Sequence, residues 1–143
     1  MATIRDIRPD DRSRLRRIQE SVLSDPSPDV LAAALDGPLF GLVAVESGVA
    51  VGYLLAIGGE RRVYVPELAV AESAQREGHG SRLVSTASTR FRNRDFETMR
   101  LTARADDEAA RHFYEQLGFA MVERLPDNYD NADGIVYEKR LDE

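Results

Sequence analysis

Residues 70–83 read VAESAQREGHGSRL, and this stretch decides the fold. The apolar run over 63–70 predicts a buried strand, and the residues after the turn repeat apolar positions at helical spacing, with Leu83, Val84, Ala87 and Phe91 on one face. Gly78 and Gly80 mark the turn between them. The first N–H groups of a helix have no partner within it and lie at the positive end of its dipole. The turn therefore suits a phosphate, although two glycines alone are equally consistent with a plain tight connection.

The spacing of the glycines excludes two common phosphate-binding loops. A Walker loop needs Gly-Lys-Ser/Thr, which is absent from this turn. A dinucleotide-binding fingerprint needs a third glycine three residues after Gly80, where Leu83 stands. A phosphate site here would have to be of another kind.

Composition limits the class of protein. The 143 residues suit one domain over 1–143, and 43% hydrophobic with 31% charged residues indicates a globular chain. With no cysteine, disulfides and thiolate chemistry are excluded, and two histidines make a metal centre improbable. The net charge of −6 argues against nucleic-acid binding. Without an apolar segment near 20 residues or an apolar N-terminal core, we expect no membrane contact and a cytoplasmic location.

The first half of the chain predicts two helices followed by three antiparallel strands. An Asp after Pro9 is expected to cap the first helix, and Ser27 with Pro28 to open the second. Ser47-Gly48 predicts a two-residue hairpin between two apolar strands. The predicted strands are 3–8, 39–46, 49–57 and 62–70, and the predicted helices are 11–23 and 29–35.

The second half predicts alternating helices and strands. The helix after Gly80 should end near residue 94, and the strand after it should pair in parallel with 63–70 because a helix connects them. Asp106 or Asp107 should cap the next helix, which Gly118 ends. The later strands are 98–103, 119–124 and 134–141, with a polar loop over 126–133. The fold class is α/β with a mixed, mostly antiparallel seven-stranded sheet, helices on both faces, and the order β-α-α-β-β-β-α-β-α-β-β.

Two motifs on this element order resemble the GNAT superfamily of acyl-CoA N-acyltransferases. The first is Gln75-x-x-Gly78-x-Gly80 after the fourth strand. The second, Asp107-Glu-Ala-Ala-Arg-His-Phe-Tyr114-Glu-Gln-Leu-Gly118-Phe119, is similar to the family segment Asn-x-x-Ala-x-x-Phe/Leu-Tyr-x-x-x-Gly-Phe. The resemblance covers nearly the whole chain and implies the GNAT fold.

The resemblance implies that acetyl-CoA is the cofactor. In the family the fourth strand splays from the fifth, and the pantetheine arm bonds to its backbone, here Leu68, Ala69 and Val70. The pyrophosphate lies on the loop amides, and the implied cofactor-binding residues are Gln75, Arg76, Glu77, Gly78, His79, Gly80, Ser81 and Arg82. The side chains of Arg76 and Arg82 would add charge-assisted bonds, although both are equally typical of a solvated surface.

The sequence departs from the family at position 107. The family usually has Asn there, whereas Asp107 can cap the helix and accept a hydrogen bond but cannot donate one. A contact in which the family's amide donates to the cofactor would be lost, although Asp107 remains a candidate cofactor-binding residue.

Tyr114 is the catalytic acid that the resemblance implies, because the family tyrosine lies close to the thioester sulfur. A tyrosine with an ordinary pKa near 10 donates to a thiolate of conjugate pKa near 8.5 at a cost of roughly 2 kcal/mol. The alternative is that Tyr114 only packs beside Phe113. A backbone N–H of the splayed strand, that of Val70, would stabilise the oxyanion.

Glu67 is the candidate base, since it precedes Leu68 on the strand where many GNAT enzymes hold a catalytic carboxylate. Strand alternation places Glu67 and Ala69 on one face, and the alternative is that this face is the solvent side. Four further stretches are in register with one group of the family: Glu67-Leu-Ala-Val70, Gln75-Arg-x-Gly78-x-Gly80, Arg104-Ala-Asp-Asp107, and the tail residues Asn128, Tyr129, Asp133, Val136 and Leu141. They resemble the RimI type, the ribosomal-protein and N-terminal acetyltransferases. RimI-type enzymes carry a catalytic Glu where this chain has Thr102, which shifts the base role to Glu67 or a water chain.

The resemblance implies an acetyl-CoA-dependent N-acetyltransferase that acts by direct attack of a primary amine. A weak base suits the α-amine of a protein N-terminus, which costs under about 1 kcal/mol to deprotonate near pH 7.5, against roughly 4 for lysine. Tyr129 would line the acceptor pocket, or be a half-buried hairpin residue. The alternatives are a small-amine or polyamine acetyltransferase, a non-catalytic acyl-CoA sensor and a structural domain. A homodimer is compatible with the sequence.

Overall fold

The computed structural model describes residues 2–142, so the two terminal residues of the predicted 1–143 domain lie outside it. Four helices and seven strands follow the predicted order. The strands form one mixed sheet in the order β1-β2-β3-β4-β5-β7-β6, which confirms the predicted fold class. The strands are β1 (Ala2–Asp6), β2 (Phe40–Glu46), β3 (Val49–Gly58), β4 (Arg62–Val70), β5 (Thr98–Arg104), β6 (Ala120–Tyr129) and β7 (Ala132–Arg140). The helices are α1 (Arg12–Val22), α2 (Pro28–Asp36), α3 (His79–Arg92) and α4 (Glu108–Gln116).

The chain groups into two compact units. One unit consists of Met1–Ile57 with Pro66–Arg90, and the other of Gly58–Val65 with Phe91–Glu143. The single-domain organisation expected from the sequence stays a prediction. No helix within residues 2–142 is long and apolar enough to cross a membrane.

The first unit is built on antiparallel pairing of β1 with β2 and of β2 with β3. Ser47 and Gly48 both have positive φ, 52° and 82°, as the predicted two-residue hairpin requires. β2 and β3 are buried along most of their length, so both faces of these apolar strands are covered. The apolar stripe of α1 packs into a core cluster with α2 and β3 that includes Leu15, Ile18, Leu31, Leu35, Val43 and Leu55.

The cap expected for the first helix is wrong. Asp11 occupies the N-cap position of α1, but its side chain makes no capping bond there. Its carboxylate instead accepts two bonds from the Arg5 guanidinium, at 2.7 and 2.9 Å, and one from the Arg8 N–H at 2.8 Å. Burial acts to raise the pKa of Asp11, but these hydrogen bonds outweigh it and the pKa is lowered. An ion pair with β1 therefore replaces the cap.

The second unit holds the parallel ladder that the sequence predicts. Arg62–Tyr64 of β4 pairs in parallel with Thr98–Arg100 of β5, and β5 pairs with β7 along its whole length. Asp107 is the N-cap of α4, and its carboxylate accepts from the Ala110 N–H at 3.0 Å, which confirms the predicted cap. Gly118 follows the helix with φ of 95°, as a helix-ending glycine does.

The polar loop predicted over 126–133 is wrong. β6 continues to Tyr129, and a turn at residues 130–131 leads directly into β7. The register shifts between Leu125 and Tyr129, and Asp127 has a φ of 53°. β6 is the last strand of the sheet, and an edge strand with a bulge accommodates Pro126 without losing a ladder bond on its partner side.

Candidate active site

The turn between β4 and α3 has the geometry of an anion-binding loop. Its residues 75–78 are exposed, and Arg76 and Gly78 have positive φ values of 67° and 86°. The Arg82 N–H bonds to the Gly78 carbonyl at 3.1 Å as α3 begins. Helix geometry therefore leaves the N–H groups of residues 79–81 without an acceptor inside the helix. A Cβ added at Gly78 would meet nothing within 4 Å, so this glycine serves backbone conformation rather than packing.

Gln75 ties this loop to the end of β4. Its side-chain Nε2 donates to the Val70 carbonyl oxygen at 2.9 Å. The next residue, Ala71, donates its N–H to the Val51 carbonyl on β3 at 2.8 Å. The strand end that would contact pantetheine and the loop that would contact pyrophosphate are thus joined by a side chain. A direct cofactor contact by Gln75 stays a prediction.

The two arginines of the loop differ in their surroundings. Arg82 is exposed, and its guanidinium donates to the Ala2 carbonyl at 3.0 Å. Arg76 is exposed at the top of the loop. Ser81 is half-buried in the first turn of α3. Their contacts with a phosphate stay predictions, and a phosphate contact by Arg82 would require its side chain to leave Ala2.

His79 begins α3 and is 3% exposed. Its Nε2 lies 2.8 Å from a Glu46 carboxylate oxygen and 3.6 Å from one of Glu77, while its buried Nδ1 has no partner among the described residues. These three side chains each bring one potential metal-ligand atom within 4.8 Å of the others. The short His79–Glu46 contact is a hydrogen bond, so the buried His79 links the start of α3 to the end of β2.

Glu67 is buried, with 5% exposure, in the core of the first unit. Its Oε1 accepts from the Tyr53 hydroxyl and from Gln19 Nε2, both at 2.9 Å. Its Oε2 accepts from the Ser27 N–H at 2.7 Å and from the same amide at 3.2 Å. Glu67 and Ala69 share the buried side of β4, whereas Leu68 and Val70 are half-buried. The alternative that Glu67 faces solvent is therefore wrong.

The hydroxyl of Tyr53 donates a hydrogen bond to Glu67 and stays protonated. Burial, followed by the charge and hydrogen bonding of Glu67, raises the pKa of Tyr53 well above its ordinary value. The residue lies on β3 and is fully buried. The donors around Glu67 are therefore a phenol, a side-chain amide and a backbone N–H, all of them neutral.

Tyr114 lies on α4 in the second unit, within an aromatic group. Its ring centroid is 5.5 Å from that of Phe113, and 6.0 Å from those of Phe119 and Tyr137. Burial, with the nearby Asp107 carboxylate and Tyr129, raises the pKa of Tyr114. The phenol therefore stays protonated, and the cost of roughly 2 kcal/mol for donating to a thiolate, which assumed an ordinary pKa, is a lower bound. The acid role stays a prediction.

Tyr129 ends β6 and is half-buried, with the Arg104 guanidinium 5.4 Å from its ring centroid. Its hydroxyl donates to the Thr102 carbonyl at 3.4 Å. Thr102 is the residue at which the sequence departs from the RimI-type resemblance. Tyr129 thus lies beside Thr102 within the second unit, and its contact with an acceptor stays a prediction.

Gln19 and Tyr53, both partners of Glu67, are not among the residues predicted from the sequence. Gln19 completes the i, i+3, i+4, i+7 stripe of α1 with Leu15, Ile18 and Val22, and it is fully buried. An amide within an apolar stripe is the signal that could have identified it, because a buried polar group needs a partner. No comparable local signal distinguishes Tyr53 within an apolar strand.

Comparisons with known proteins indicate the same family as the sequence motifs. A family model described as "Acetyltransferase (GNAT) family" matches residues 2–119. The chain is 29% identical over 100 residues to N-alpha-acetyltransferase 30 of Schizosaccharomyces pombe, covering 66% of this chain and 67% of that protein.

Two solved structures share the fold. The ribosomal-protein-S18-alanine N-acetyltransferase from Escherichia coli superposes with a TM-score of 0.90 at 21% identity, covering 100% of this chain and 96% of the other. Arabidopsis thaliana NAA60 in complex with acetyl-CoA superposes with a TM-score of 0.88 at 18% identity, covering 100% of both chains.

Proposed function

Because this chain belongs to the acetyltransferase (GNAT) family, we propose that it transfers an acetyl group to the α-amine at the N-terminus of a protein. The chain is an acetyl-CoA-dependent N-acetyltransferase, an acyltransferase by reaction class. The acceptor is the part that we propose. The observation that carries it is the similarity to an N-alpha-acetyltransferase over two thirds of the chain.

The chemistry of the candidate base supports an α-amine. Glu67 already accepts four hydrogen-bond contacts from protein donors, so it is poorly placed to accept a proton from a substrate. An α-amine needs little help, because it loses its proton near neutral pH at under about 1 kcal/mol. A lysine side chain would need roughly 4 kcal/mol and therefore a stronger base.

The exposed loop fits the pyrophosphate of acetyl-CoA. Gly78 has a positive φ and open space where a Cβ would lie, and α3 begins immediately after it. The N–H groups of residues 79–81 would hold the phosphates, with Arg76 adding positive charge. Glu77 is the unfavourable charge on the same loop, and its contact with His79 keeps it beside the helix start. The backbone of Leu68–Val70 would hold the pantetheine arm.

The bound cofactor supplies an acyl group that is activated as a thioester. Tyr114 would donate its hydroxyl proton to the departing thiolate, and its raised pKa keeps that proton in place before the reaction. The N–H of Val70 would stabilise the developing oxyanion. The acceptor amine would attack directly as the free base.

An acceptor screen with acetyl-CoA tests the proposal. The panel contains peptides with free N-termini, the same peptides with a blocked N-terminus and one internal lysine, and polyamines. Release of the free CoA thiol is measured, and we expect turnover only with free N-termini. Turnover with polyamines alone would indicate a small-amine acetyltransferase, and acetyl-CoA binding without any turnover would indicate a sensor. A thermal shift that stays zero at millimolar acetyl-CoA would indicate a structural domain, because binding must stabilise the fold.

Two further expectations belong to this proposal. A cytoplasmic location is expected from the sequence, and a homodimer is compatible with it. Light scattering of the purified chain with and without acetyl-CoA tests the second, and a monomer in both conditions would remove it.

A further inference from the structure

The carboxylate of Glu67 accepts hydrogen bonds from the protein on both of its oxygens. Tyr53, Ser27 and Gln19 make four contacts with it between 2.7 and 3.2 Å. Because one of the two Nε2 hydrogens of Gln19 bonds to the Ser27 carbonyl, these contacts amount to three donated hydrogens. All three donors belong to the same compact unit as Glu67. Because Glu67 is only 5% exposed and both of its oxygens bond to these donors, a substrate amine would have to displace one of the donors to reach it.

The donor from Ser27 is a backbone group, and this fixes a loop. The Ser27 N–H donates to Glu67, and its carbonyl accepts from Gln19 Nε2 at 3.1 Å. Ser27 precedes α2 as its N-cap residue, yet its own side chain makes no capping bond. Glu67 and Gln19 therefore bond to the N–H and the carbonyl of Ser27, the N-cap residue of α2.

The segment that ends at Ser27 is held at its start by Leu23, whose N–H donates to the Gln19 carbonyl at 3.1 Å and whose side chain packs against the core cluster. We call residues 23–27, between α1 and α2, the α1–α2 loop. Ser24, Asp25 and Pro26 are exposed. Exposed segments open at low free energy, so the bonds at Ser27 contribute to the order of this loop.

Packing alone does not explain the buried carboxylate of Glu67. Glu67 lies on the same unit as the apolar cluster around Leu15, Leu31 and Leu55, and its partners carry no positive charge. Gln19 adds a buried Oε1 that has no hydrogen-bond partner among the described residues. Burying such groups opposes folding, and departures of this kind from an apolar core are expected where a function needs them.

We infer that Glu67 is a positioning residue that fixes the α1–α2 loop against β4, and that it does not take the proton of the acceptor amine. Its strand continues directly into Leu68–Val70, the backbone proposed to hold acetyl-CoA, so the loop is fixed beside that segment. The effect on turnover rests on the proposed function, whereas the effect on the loop does not. The acceptor amine loses its proton to solvent before it attacks.

Hydrogen exchange tests the fixed loop without any assay of activity. We expect amide exchange of Leu23 and Ser27, whose N–H groups are hydrogen-bonded, to accelerate at least about tenfold in Glu67→Ala, and less in Glu67→Gln, which keeps one acceptor oxygen. Glu123→Gln, an exposed glutamate on β6, is the matched control and should exchange as the wild type does. Gln19→Leu places an apolar side chain in an apolar stripe and removes the second anchor, so it decides the matter if Glu67→Ala fails to fold. Unchanged exchange in both folded variants would overturn the inference.

The pH profile of kcat/KM for a peptide tests whether Glu67 is a base. In Glu67→Gln we expect the acceptor KM to rise about tenfold, kcat to change less than about threefold, and the low-pH limb to remain. Loss of a general base would instead lower kcat by about 10² to 10⁴ and remove the limb, which would overturn the inference. If the wild type acetylates no acceptor, the proposed function fails, and the exchange experiment still decides the role of Glu67 in the loop.

Discussion

The side-chain amide of Gln75 donates to the carbonyl oxygen of Val70 across 2.9 Å. This bond joins the last residue of β4 to the exposed loop before α3. If acetyl-CoA uses both segments, their relative position must be fixed before it binds, since ordering them on binding would reduce affinity.

Gln75→Ala should therefore weaken acetyl-CoA binding. A net hydrogen bond contributes about 0.5–1.5 kcal/mol, so we expect the Kd to rise about 3-fold to 10-fold in isothermal titration. Gln116→Ala removes an exposed glutamine from the end of α4 and is the matched control. An equal Kd for the two variants would mean that the Gln75 bond does not organise the cofactor site.

Gly78 allows a comparison with a glycine of the same conformation elsewhere. Gly78 and Gly48 have φ values of 86° and 82°, and a Cβ at either would meet nothing within 4 Å. Alanine at such a φ costs about 1–2 kcal/mol at either position. We expect both Gly78→Ala and Gly48→Ala to lower Tm similarly, and only Gly78→Ala to raise the Kd for acetyl-CoA. Similar Kd values would place the phosphates away from this loop.

How far the sequence could be interpreted depends on the range of each interaction. The turn at Gly78 and the cap at Asp107 are local, and their residue types predict them correctly. The surroundings of Glu67 are not local, because its partners Gln19 and Tyr53 lie 48 and 14 residues away. The sequence therefore indicates Glu67 as a candidate catalytic residue without indicating what surrounds it.

Two predictions, the Asp cap of α1 and the polar loop over 126–133, are wrong for the same physical reason. Asp11 is a good capping residue by type, yet Arg5 on β1 binds its carboxylate in two places. Pro126 is typical of a loop, yet it lies at a bulge of the edge strand β6. In both cases tertiary pairing outweighs a local preference, which residue type alone does not reveal.

Tyr114→Phe should lower turnover without changing cofactor affinity. The phenol stays protonated because burial, with Asp107 and Tyr129, raises its pKa, so it can donate to a leaving thiolate. We expect kcat to fall about 10-fold to 10³-fold, with the Kd for acetyl-CoA changed less than about twofold. Tyr64→Phe, at an exposed tyrosine of β4, is the control. Normal turnover in Tyr114→Phe would remove this residue from the mechanism.

Tyr53→Phe should change how stability depends on alkaline pH. In the folded chain the pKa of Tyr53 is raised by burial and by Glu67, whereas in the unfolded chain it is near 10. The unfolded state therefore releases a proton first, and above pH 10 the wild type should lose up to about 1.4 kcal/mol of unfolding free energy per pH unit through this residue. Below pH 10 the stabilisation of the folded state by the protonated Tyr53 is fully present.

The variant tests both the bond and its titration in one series of urea unfolding experiments. At pH 7, Tyr53→Phe should be about 1.5–3 kcal/mol less stable, since it loses a hydrogen bond to a buried charge. Above pH 10 the difference in unfolding free energy between the wild type and Tyr53→Phe should become smaller, because only the wild type carries a phenol at position 53 that ionises on unfolding. Tyr64→Phe should run parallel to the wild type at every pH. If the difference in unfolding free energy between Tyr53→Phe and the wild type stayed constant from pH 7 to 11, Tyr53 would have the same pKa in the folded and unfolded states. Burial and Glu67 would then not raise that pKa.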